Sequence, residues 1–339
     1  MEQAFTPMVI DVHTHIVPPQ LVERARRDAS ELYPDVSVST ADNGRTLIAM
    51  PRPSDLGPSR PIFPGLLDVD GCVSRMDGQG VDAAITGIWP DLVGSTLPIE
   101  QAVNWVRAVN DSLLEAAAEH RELLPLAAGH LESPDPYGDL KLLKEQGFLG
   151  VQIATRTADK ELDDPALGEF WEAAAEVRLP VFVHPHFYNG DPRLADGLAY
   201  GLANSVGRAH DTGVAISRVL LKGIPLRYPD LPIIIAHGGG SVPYLLGRLK
   251  DVHRLHPETA DPVAGFEKLH FDSVVFEEAA FEYLLRMAGD EHILLGTDHP
   301  FPNGDPLAKV LVDKVLADQV EARDRVNGGN ARRVFVLDR

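Results

Sequence analysis

The chain has 339 residues, of which 44% are hydrophobic, so it can form one large α/β barrel or two ordinary domains. Its net charge of −19 repels nucleic acid and anionic membranes, and we expect neither as a partner. No stretch reaches the roughly 18 uninterrupted apolar residues of a membrane span. The amino terminus has no signal-peptide pattern, and the single cysteine, Cys72, excludes an internal disulfide. These features favour a reducing cytoplasm.

The first predicted strand, Met8–Val12, runs into two histidines separated by one residue. Residues i and i+2 of a strand project to the same side, so we expect His13 and His15 to point together from its end. Two imidazoles aimed at one point suggest a metal ion. Two unrelated surface histidines have the same spacing, so the meaning of the pair depends on the other strand ends.

The long segment that follows contains two short β-type runs, Val36–Thr40 and Thr46–Met50. They flank Asn43-Gly44, a dipeptide typical of a hairpin turn. We predict a small β insertion over residues 16–75. Arg52 leaves this insertion between two prolines, on a constrained loop, where it is a candidate substrate ligand. The alternative for Arg52 is an ordinary solvated arginine.

Short apolar runs alternate with helix-like segments along the rest of the chain. The later strands are predicted at Asp82–Gly87, Leu123–Ala128, Gly150–Ala154, Pro180–His184, Pro232–His237, Leu269–Asp272 and His292–Thr297. Amphipathic helices are predicted at Pro98–His120, Asp164–Val177, Ser241–Val252 and Glu277–Ala288.

This alternation implies a parallel sheet with right-handed crossovers, and eight strands predict a (β/α)₈ TIM barrel. We expect one domain over residues 1–339, with the insertion lying over the barrel mouth. An open doubly wound sheet is the alternative. No GxGxxG motif follows the first strand, which disfavours a dinucleotide-binding fold.

Four strand ends carry a histidine or an aspartate, at the edge where α/β barrels hold their catalytic groups. They are His13 and His15, His184-Pro185-His186, His237-Gly238-Gly239-Gly240, and Thr297-Asp298-His299. Core packing does not account for such a set. Neutral imidazoles and one carboxylate bind Zn²⁺, or the harder Mn²⁺ and Fe²⁺, and leave a position for water or substrate.

We therefore predict one metal site with His13, His15, His184 and Asp298 as ligands, and His237 beside it as general acid or base. Strand four, Val151-Gln152-Ile153-Ala154, has no lysine. Some binuclear barrel hydrolases bridge two metals with a modified lysine there, so its absence favours a single ion. His130, after strand three, is left without a role.

Taken together, the motifs resemble the amidohydrolase-superfamily branch that contains α-amino-β-carboxymuconate-ε-semialdehyde decarboxylase and the hydroxybenzoate decarboxylases. The resemblance spans nearly the whole chain. It rests on Asp11-Val12-His13-Thr14-His15, residues 75–82, Leu149–Ile153 with Leu162-Asp163-Asp164, Val183-His184-Pro185, Ala236–Gly240, residues 296–302 and Gly329-Asn330-Ala331 with Phe335.

The resemblance implies one divalent metal, usually zinc, on the four predicted ligands, and His237 as the residue that activates water or transfers a proton. It also implies that Arg52 binds a substrate carboxylate and that Arg248 reaches a neighbouring subunit's site. A homodimer or higher homo-oligomer would then complete the pocket. The alternative for Arg248 is an ordinary exposed helix arginine.

Two positions depart from the family pattern, because His186 replaces an aromatic residue and His299 replaces a tyrosine. Both changes lie beside the metal ligands and make the pocket more polar. We expect these two histidines either to support the ligands or to contact the substrate. They leave the exact substrate open.

The leading prediction is a metal-dependent, non-oxidative decarboxylase of an unsaturated or aromatic carboxylic acid, of the kind found in aromatic-compound catabolism. In it, His237 or Asp298 protonates the carbon that bears the carboxylate, and loss of CO₂ restores conjugation. The alternative is a hydrolase or hydratase that acts through the same metal on an amide, a lactone or a ring-fission product. A third reading is a barrel without activity, against which the intact ligand set argues.

Overall fold

The computed structural model describes residues 8–52, 59–186 and 201–337. The strands, numbered in chain order, are β1 (Ile10–Ile16), β2 (Ser37–Thr40), β3 (Thr46–Ala49), β4 (Ala83–Ile88), β5 (Leu123–Pro125), β6 (Ala127–Ala128), β7 (Val151–Ala154), β8 (Val181–His184), β9 (Ile233–Ile235), β10 (Leu269–Asp272) and β11 (Ile293–Leu294).

The α-helices span Pro19–Leu32, Pro64–Leu67, Val69–Gln79, Ile99–Glu119, Pro136–Glu145, Gly168–Val177, Arg208–Lys222, Ile224–Arg227, Val242–Leu255, Pro262–Phe266, Glu278–Ala288, Ala308–Val315, Val320–Asp324 and Asn330–Phe335. Shorter 3₁₀ segments lie at Pro90–Leu92, Pro165–Leu167, His237–Gly239 and Asp290–His292, and π turns at Ala203–Gly207 and Arg325–Gly329. No helix among the described residues is long and apolar enough to cross a bilayer.

The parallel strands run in the orders β1-β4-β5 and β6-β7-β8-β9-β10-β11. Leu126 separates β5 from β6, and its N–H donates to the Thr86 carbonyl at 2.9 Å, so the third barrel strand continues through this break. Between β1 and the chain after β11, the Val12 N–H donates to Leu295 O and the His15 N–H donates to His299 O, both at 2.8 Å. The chain beyond β11 thereby closes the ring against β1. The predicted (β/α)₈ barrel is confirmed.

Apolar side chains fill two layers. A small inner cluster, which includes Ile10, Phe182 and Ile234, packs inside the barrel, and Phe335 of the last helix packs against it. A much larger cluster lies between the strands and the surrounding helices. Burial of this second layer is the main source of stability for such a fold, since the hydrophobic contribution scales with the apolar area removed from water.

The segment after β1 was predicted to be a β insertion, but it contains a helix as well as a hairpin. The predicted hairpin is present, with β2 and β3 paired antiparallel from Ser37–Ala49 to Thr40–Thr46. A helix, Pro19–Leu32, precedes it, and this helix was missed. Leu21, Val22 and Ala25 supply its buried face, which gives the 3.6-residue period of an amphipathic helix.

Candidate active site

The four predicted metal ligands converge at the carboxyl end of the barrel. His13 and His15 lie on β1, His184 is the last residue of β8, and Asp298 follows β11. One ligand atom from each lies within 4.8 Å of the others, and all four residues are buried. They come from opposite sides of the closed ring, so the closure of the barrel brings them together.

The hydrogen bonds of β1's histidines define which ring nitrogens face the centre. The Nδ1–H of His15 donates to the Ile88 carbonyl at 3.1 Å, and Nδ1 of His13 lies 2.6 Å from Asp272 Oδ2. In the neutral imidazoles both Nε2 atoms are then lone-pair acceptors. They lie 3.1 Å apart, and each is 3.3 Å from Asp298 Oδ1. Three acceptors pointed at each other repel unless a cation lies between them.

Buried polar atoms at the same place also lack hydrogen-bond partners. Within the described part of the chain, neither ring nitrogen of His184 has a partner, nor does Asp298 Oδ1, although all three atoms are buried. Buried polar groups are almost always satisfied, so an exception calls for a ligand or an ion. Three imidazoles and one carboxylate are the donors that Zn²⁺ and Mn²⁺ accept, so the residues fit a divalent metal.

The electrostatics of the site also favour a positive charge. Burial opposes protonation of His13, yet the Asp298 charge and the hydrogen bond to Asp272 outweigh it and raise the pKa of His13 to about 10. Burial likewise opposes ionisation of Asp298, but His13 and the neighbouring imidazoles hold the pKa of Asp298 well below its usual range. A metal ion competes with the proton for the same Nε2 atom.

Asp272, the last residue of β10, orients this centre and was not singled out from the sequence. Its Oδ2 accepts from His13 Nδ1 and, at 2.9 Å, from the His237 N–H, while Oδ1 accepts from the Gly238 N–H at 2.8 Å. A carboxylate on the far nitrogen of a metal-binding histidine sets its tautomer and ring orientation. The sequence feature that could have identified Asp272 was its position at the end of a predicted strand.

His237 lies beside the ligands, with its Nε2 3.3 Å from Asp298 Oδ2. Its backbone is left-handed, with φ of +57°, and Asp298 has φ of +55°. Non-glycine residues in this region are strained and cluster at functional sites. Gly239 follows with φ of +82°, and a Cβ there would lie 2.8 Å from the Phe271 ring. Glycine is therefore required for this close turn.

A cavity of about 750 Å³ opens above the centre. His184, His237 and Asp298 line its metal side. Its other lining residues include four large apolar or aromatic side chains, Phe63, Trp89, Phe276 and Phe301, and three arginines, Arg45, Arg60 and Arg208. Arg45 belongs to the turn between β2 and β3, so the hairpin contributes directly to the cavity wall. The size and lining suit a small aromatic or unsaturated anion.

The predicted substrate-binding residues fall in different places. Arg52 is mostly buried, with Nη2 3.5 Å from Asp91 Oδ2. His186 is buried, and its Nδ1 lies 3.1 Å from the Ser95 hydroxyl. Burial lowers the pKa of His186 to about 3, so it is neutral near pH 7. Both side chains therefore lie near Asp91, and neither Arg52 nor His186 is among the described residues that line the cavity.

The His299 carbonyl accepts a hydrogen bond from the His15 N–H at 2.8 Å, whereas Arg248 lies on the helix Val242–Leu255. Neither is among the described residues that line the cavity. Burial, and then the Arg75 charge, lowers the pKa of His299 to about 3. Arg248 is exposed on that helix, and no contact between described residues joins it to the metal ligands. His130, which the sequence left without a role, lies at a separate, smaller cavity of about 120 Å³.

An eight-stranded barrel with three histidines and an aspartate at its carboxyl end defines a metal-dependent barrel enzyme. The family model described as "Amidohydrolase" matches residues 10–337. The chain belongs to this family, and the resemblance drawn from the motifs is confirmed.

Individual relatives agree with that assignment. The chain is 26% identical to a 2-amino-3-carboxymuconate-6-semialdehyde decarboxylase of Dictyostelium discoideum, over 97% of this chain and 92% of the relative. The crystal structure of Metarhizium anisopliae IDCase matches with a TM-score of 0.83 at 22% identity, over 98% of both chains. A dihydroxybenzoic acid decarboxylase from Polaromonas sp. JS666, with bound manganese and the inhibitor 2-nitroresorcinol, matches with a TM-score of 0.75 at 24% identity, over 98% of both chains.

Proposed function

We propose that this protein is a metal-dependent, non-oxidative decarboxylase of an unsaturated or aromatic carboxylic acid. The observation that carries the proposal is the convergence of buried acceptors at the floor of a cavity whose wall bears arginines. Such a cavity binds an anion beside a cation. Decarboxylases among the relatives support the same class of reaction.

The bound cation would be held by His13, His15, His184 and Asp298, and it would supply a Lewis acid that lowers the pKa of water or polarises a substrate oxygen. Arg52 orients the substrate carboxylate bidentately. His237, or Asp298 once it has taken up a proton, delivers that proton to the carbon that bears this carboxylate, which interrupts conjugation. Cleavage of the carbon–carboxylate bond then returns the electron pair to the conjugated system and releases CO₂.

The identity of the metal is a separate proposal. We favour zinc, because three imidazoles and one carboxylate form a common four-ligand set for it, with manganese as the alternative. Manganese bound to the Polaromonas neighbour supports the alternative. Metal analysis of protein purified without added ions, followed by reconstitution with Zn²⁺ or Mn²⁺ separately, discriminates between the two.

Arg248 and the oligomeric state form a linked proposal. The exposed position of Arg248 is compatible with a role in a partner's site, and such a role requires a homodimer or larger assembly. We expect an Arg248→Ala variant and a His237→Ala variant, each weakly active, to regain activity when mixed and reassembled. Mixtures no more active than their components would contradict a shared site.

We also propose a cytoplasmic location, which the single cysteine, the free and buried Cys72, supports.

The experiment that tests the main proposal is a measurement of CO₂ release by metal-loaded protein. We would screen 2-hydroxybenzoates, carboxyvanillate-like acids and the amino-carboxymuconate semialdehyde, with chelator-treated protein as the control. Metal-dependent CO₂ release supports the decarboxylase. Loss of substrate without CO₂, with a water-derived oxygen in the product, would instead indicate a hydrolase or hydratase at the same metal.

A further inference from the structure

One buried carboxylate joins the two chain segments that carry three of the predicted metal ligands. Asp11 lies on β1, two residues before His13, and it is completely buried. Its Oδ1 accepts from the His13 N–H at 3.0 Å and from the Thr297 N–H at 3.1 Å. Its Oδ2 accepts from the Thr297 hydroxyl at 2.6 Å. Asp11 therefore binds the strand of His13 and, 286 positions away in sequence, the residue that precedes Asp298.

The residue after Thr297 needs such support, because its backbone is strained. Asp298 has φ of +55°, in the left-handed region that non-glycine residues seldom adopt. Such a conformation persists only where the surrounding structure holds it. The Asp298 N–H donates to the His13 carbonyl at 2.8 Å, and the Thr297 carbonyl accepts from the Asp305 N–H at 2.7 Å. The Asp298 side chain leaves this fixed backbone, so the contact between Asp11 and Thr297 helps to set where its Oδ1 lies.

The groups that contact Asp11 use it as a hydrogen-bond acceptor. The His299 N–H donates to Thr297 Oγ1 at 3.3 Å, so the hydroxyl proton of Thr297 is free to point at Asp11. A cation also approaches, because Nη2 of Arg75 lies 3.9 Å from Asp11 Oδ2. Arg75 is mostly buried, on the helix Val69–Gln79. Donors and a cation therefore meet at Asp11, as a carboxylate that holds other groups in place requires.

We propose that Asp11 is a positioning residue for the metal site, and that it acts through Thr297 to hold Asp298 against the histidines of β1. The Thr297 hydroxyl is the link on which this effect depends. Without that link the Asp298 carboxylate keeps its chemistry but loses part of its fixed position, so the affinity of the site for a metal ion falls. The inference rests on the metal site of the proposed function, but it does not depend on which reaction occurs there.

The test is a measurement of metal affinity on a pair of substitutions at position 297. Thr297→Val keeps the shape of the side chain and loses the hydroxyl, whereas Thr297→Ser keeps the hydroxyl. Metal-free protein is titrated with Zn²⁺ and, separately, with Mn²⁺ in competition with a chromogenic chelator. We expect Thr297→Val to raise the metal dissociation constant by about 10–100-fold, as the loss of groups that orient metal ligands does. Thr297→Ser should stay within about threefold of the wild type, because its hydroxyl still donates to Asp11.

A purely structural role for the contact predicts a different result. It would lower the free energy of unfolding of the metal-free protein and leave the metal affinity of the folded protein unchanged, so denaturant titrations of the metal-free variants accompany the affinity measurement. Thr157→Val is the matched control. Thr157 is 3% exposed, as Thr297 is, and its hydroxyl donates to Asp159 Oδ1 at 3.2 Å. The metal dissociation constant of this control should equal that of the wild type.

Asp11→Asn perturbs the same contact from its other side. It should also weaken metal binding. In the Thr297→Val background the further loss of affinity should be clearly smaller than in the wild type, because two changes that remove one contact are not additive. If Asp11→Asn does not fold, the two substitutions at position 297 still decide the question.

Equal metal affinities of the wild type and Thr297→Val overturn the inference. Failure of Thr297→Ser to retain tight binding overturns it too, as does an equal loss of affinity in the Thr157→Val control. A wild-type protein that binds neither ion overturns the inference together with the metal site. A protein that binds metal with the expected ranking of variants, yet releases no CO₂ from any acid, contradicts only the decarboxylase proposal.

Discussion

Each of three side chains at the metal site uses one polar atom toward the metal centre and a second toward a neighbouring group. The Nδ1 atoms of His13 and His15 point at Asp272 and the Ile88 carbonyl, and this leaves both Nε2 atoms for a metal. Asp298 presents Oδ1 to these two nitrogens and Oδ2 to His237. His237 is thereby linked to the ligand cluster through the Asp298 carboxylate. This places it where a residue that moves a proton within the cavity has to lie.

We predict that His237→Asn lowers the turnover number at least about 100-fold, because general acid–base catalysis contributes about 10²–10⁴-fold. Metal content should not change, since His237 is outside the predicted ligand set. CO₂ release and elemental analysis measure the two quantities. His256→Asn, which changes a histidine that is 59% exposed, is the control. Turnover within twofold of wild type would remove His237 from the chemistry.

Asp211 gives a prediction about stability rather than activity. It is buried, it accepts a hydrogen bond from the Thr155 hydroxyl, and burial raises its pKa from 3.8 to about 7. Between these values the folded protein holds a proton that the unfolded chain has lost. The free energy of unfolding therefore falls as pH rises through this window, by at most about 1.4 kcal/mol per pH unit.

Asp211→Asn removes this titration. We expect its unfolding free energy, relative to wild type, to rise by about 2 kcal/mol between about pH 5 and pH 7. Denaturant titrations at the two pH values measure it. Asp251→Asn, at a side chain 61% exposed, is the control. A difference between Asp211→Asn and wild type that does not change with pH would show that Asp211 is ionised throughout.

At the scale of elements, close backbone contacts fix the position of the first barrel strand. The π turn Arg325–Gly329 lies against the start of β1, and a Cβ built on Gly328 would lie 1.9 Å from the Met8 carbonyl oxygen. Backbone atoms cannot rotate away as a flexible side chain can. β1 carries His13 and His15, so a shift of this strand would also disturb the metal site.

We predict that Gly328→Ala lowers the free energy of unfolding by about 2–4 kcal/mol, as other overpacked substitutions do. Gly247→Ala is the matched control. Gly247 lies within the helix Val242–Leu255, and its Cβ would meet nothing within 4 Å. That change should be neutral or stabilise by up to about 1 kcal/mol. Equal effects from the two variants would refute the contact argument.

The elements of the barrel were largely predictable. Val, Ile and Leu-rich runs marked every parallel strand, because strands buried on both faces need apolar side chains throughout. The hairpin followed from Asn43-Gly44, where Gly44 has φ of +77°. The helix Pro19–Leu32 was missed, because Pro18-Pro19 is typical of a strand end, whereas proline is also tolerated in the first turn of a helix. Its buried positions carry the helical period nonetheless.

On the scale of the whole molecule, ring closure assembles a charge distribution that composition does not reveal. The chain carries −19 overall, yet its cavity collects Arg45, Arg60 and Arg208. Beneath them lie the ligands from β1, β8 and the chain after β11. The buried acceptors that face one another at the metal site are costly without a bound cation.

We therefore expect metal removal to lower the stability of the whole fold. A ligand that binds only the folded state adds about 4 kcal/mol when present at 1,000 times its dissociation constant. Chelator-treated protein should melt several degrees below the metal-loaded form, and stoichiometric metal should restore the melting temperature. Asp298→Asn protein should respond much less to added metal. Identical melting of the treated and loaded wild-type protein would count against a metal at this site.

The sequence by itself determined the barrel, the family and the identity of the four converging ligands, because strand ends are local features and parallel strands place those ends on one face. Tertiary structure alone decided which side chains meet across that face. Asp272 acquires its role from His13, 259 positions away in sequence. Asp91 lies in a 3₁₀ segment, Arg60 lies outside any regular element and Arg208 lies on a helix, so no periodicity relates them. Only the closed barrel brings the two arginines to Asp91.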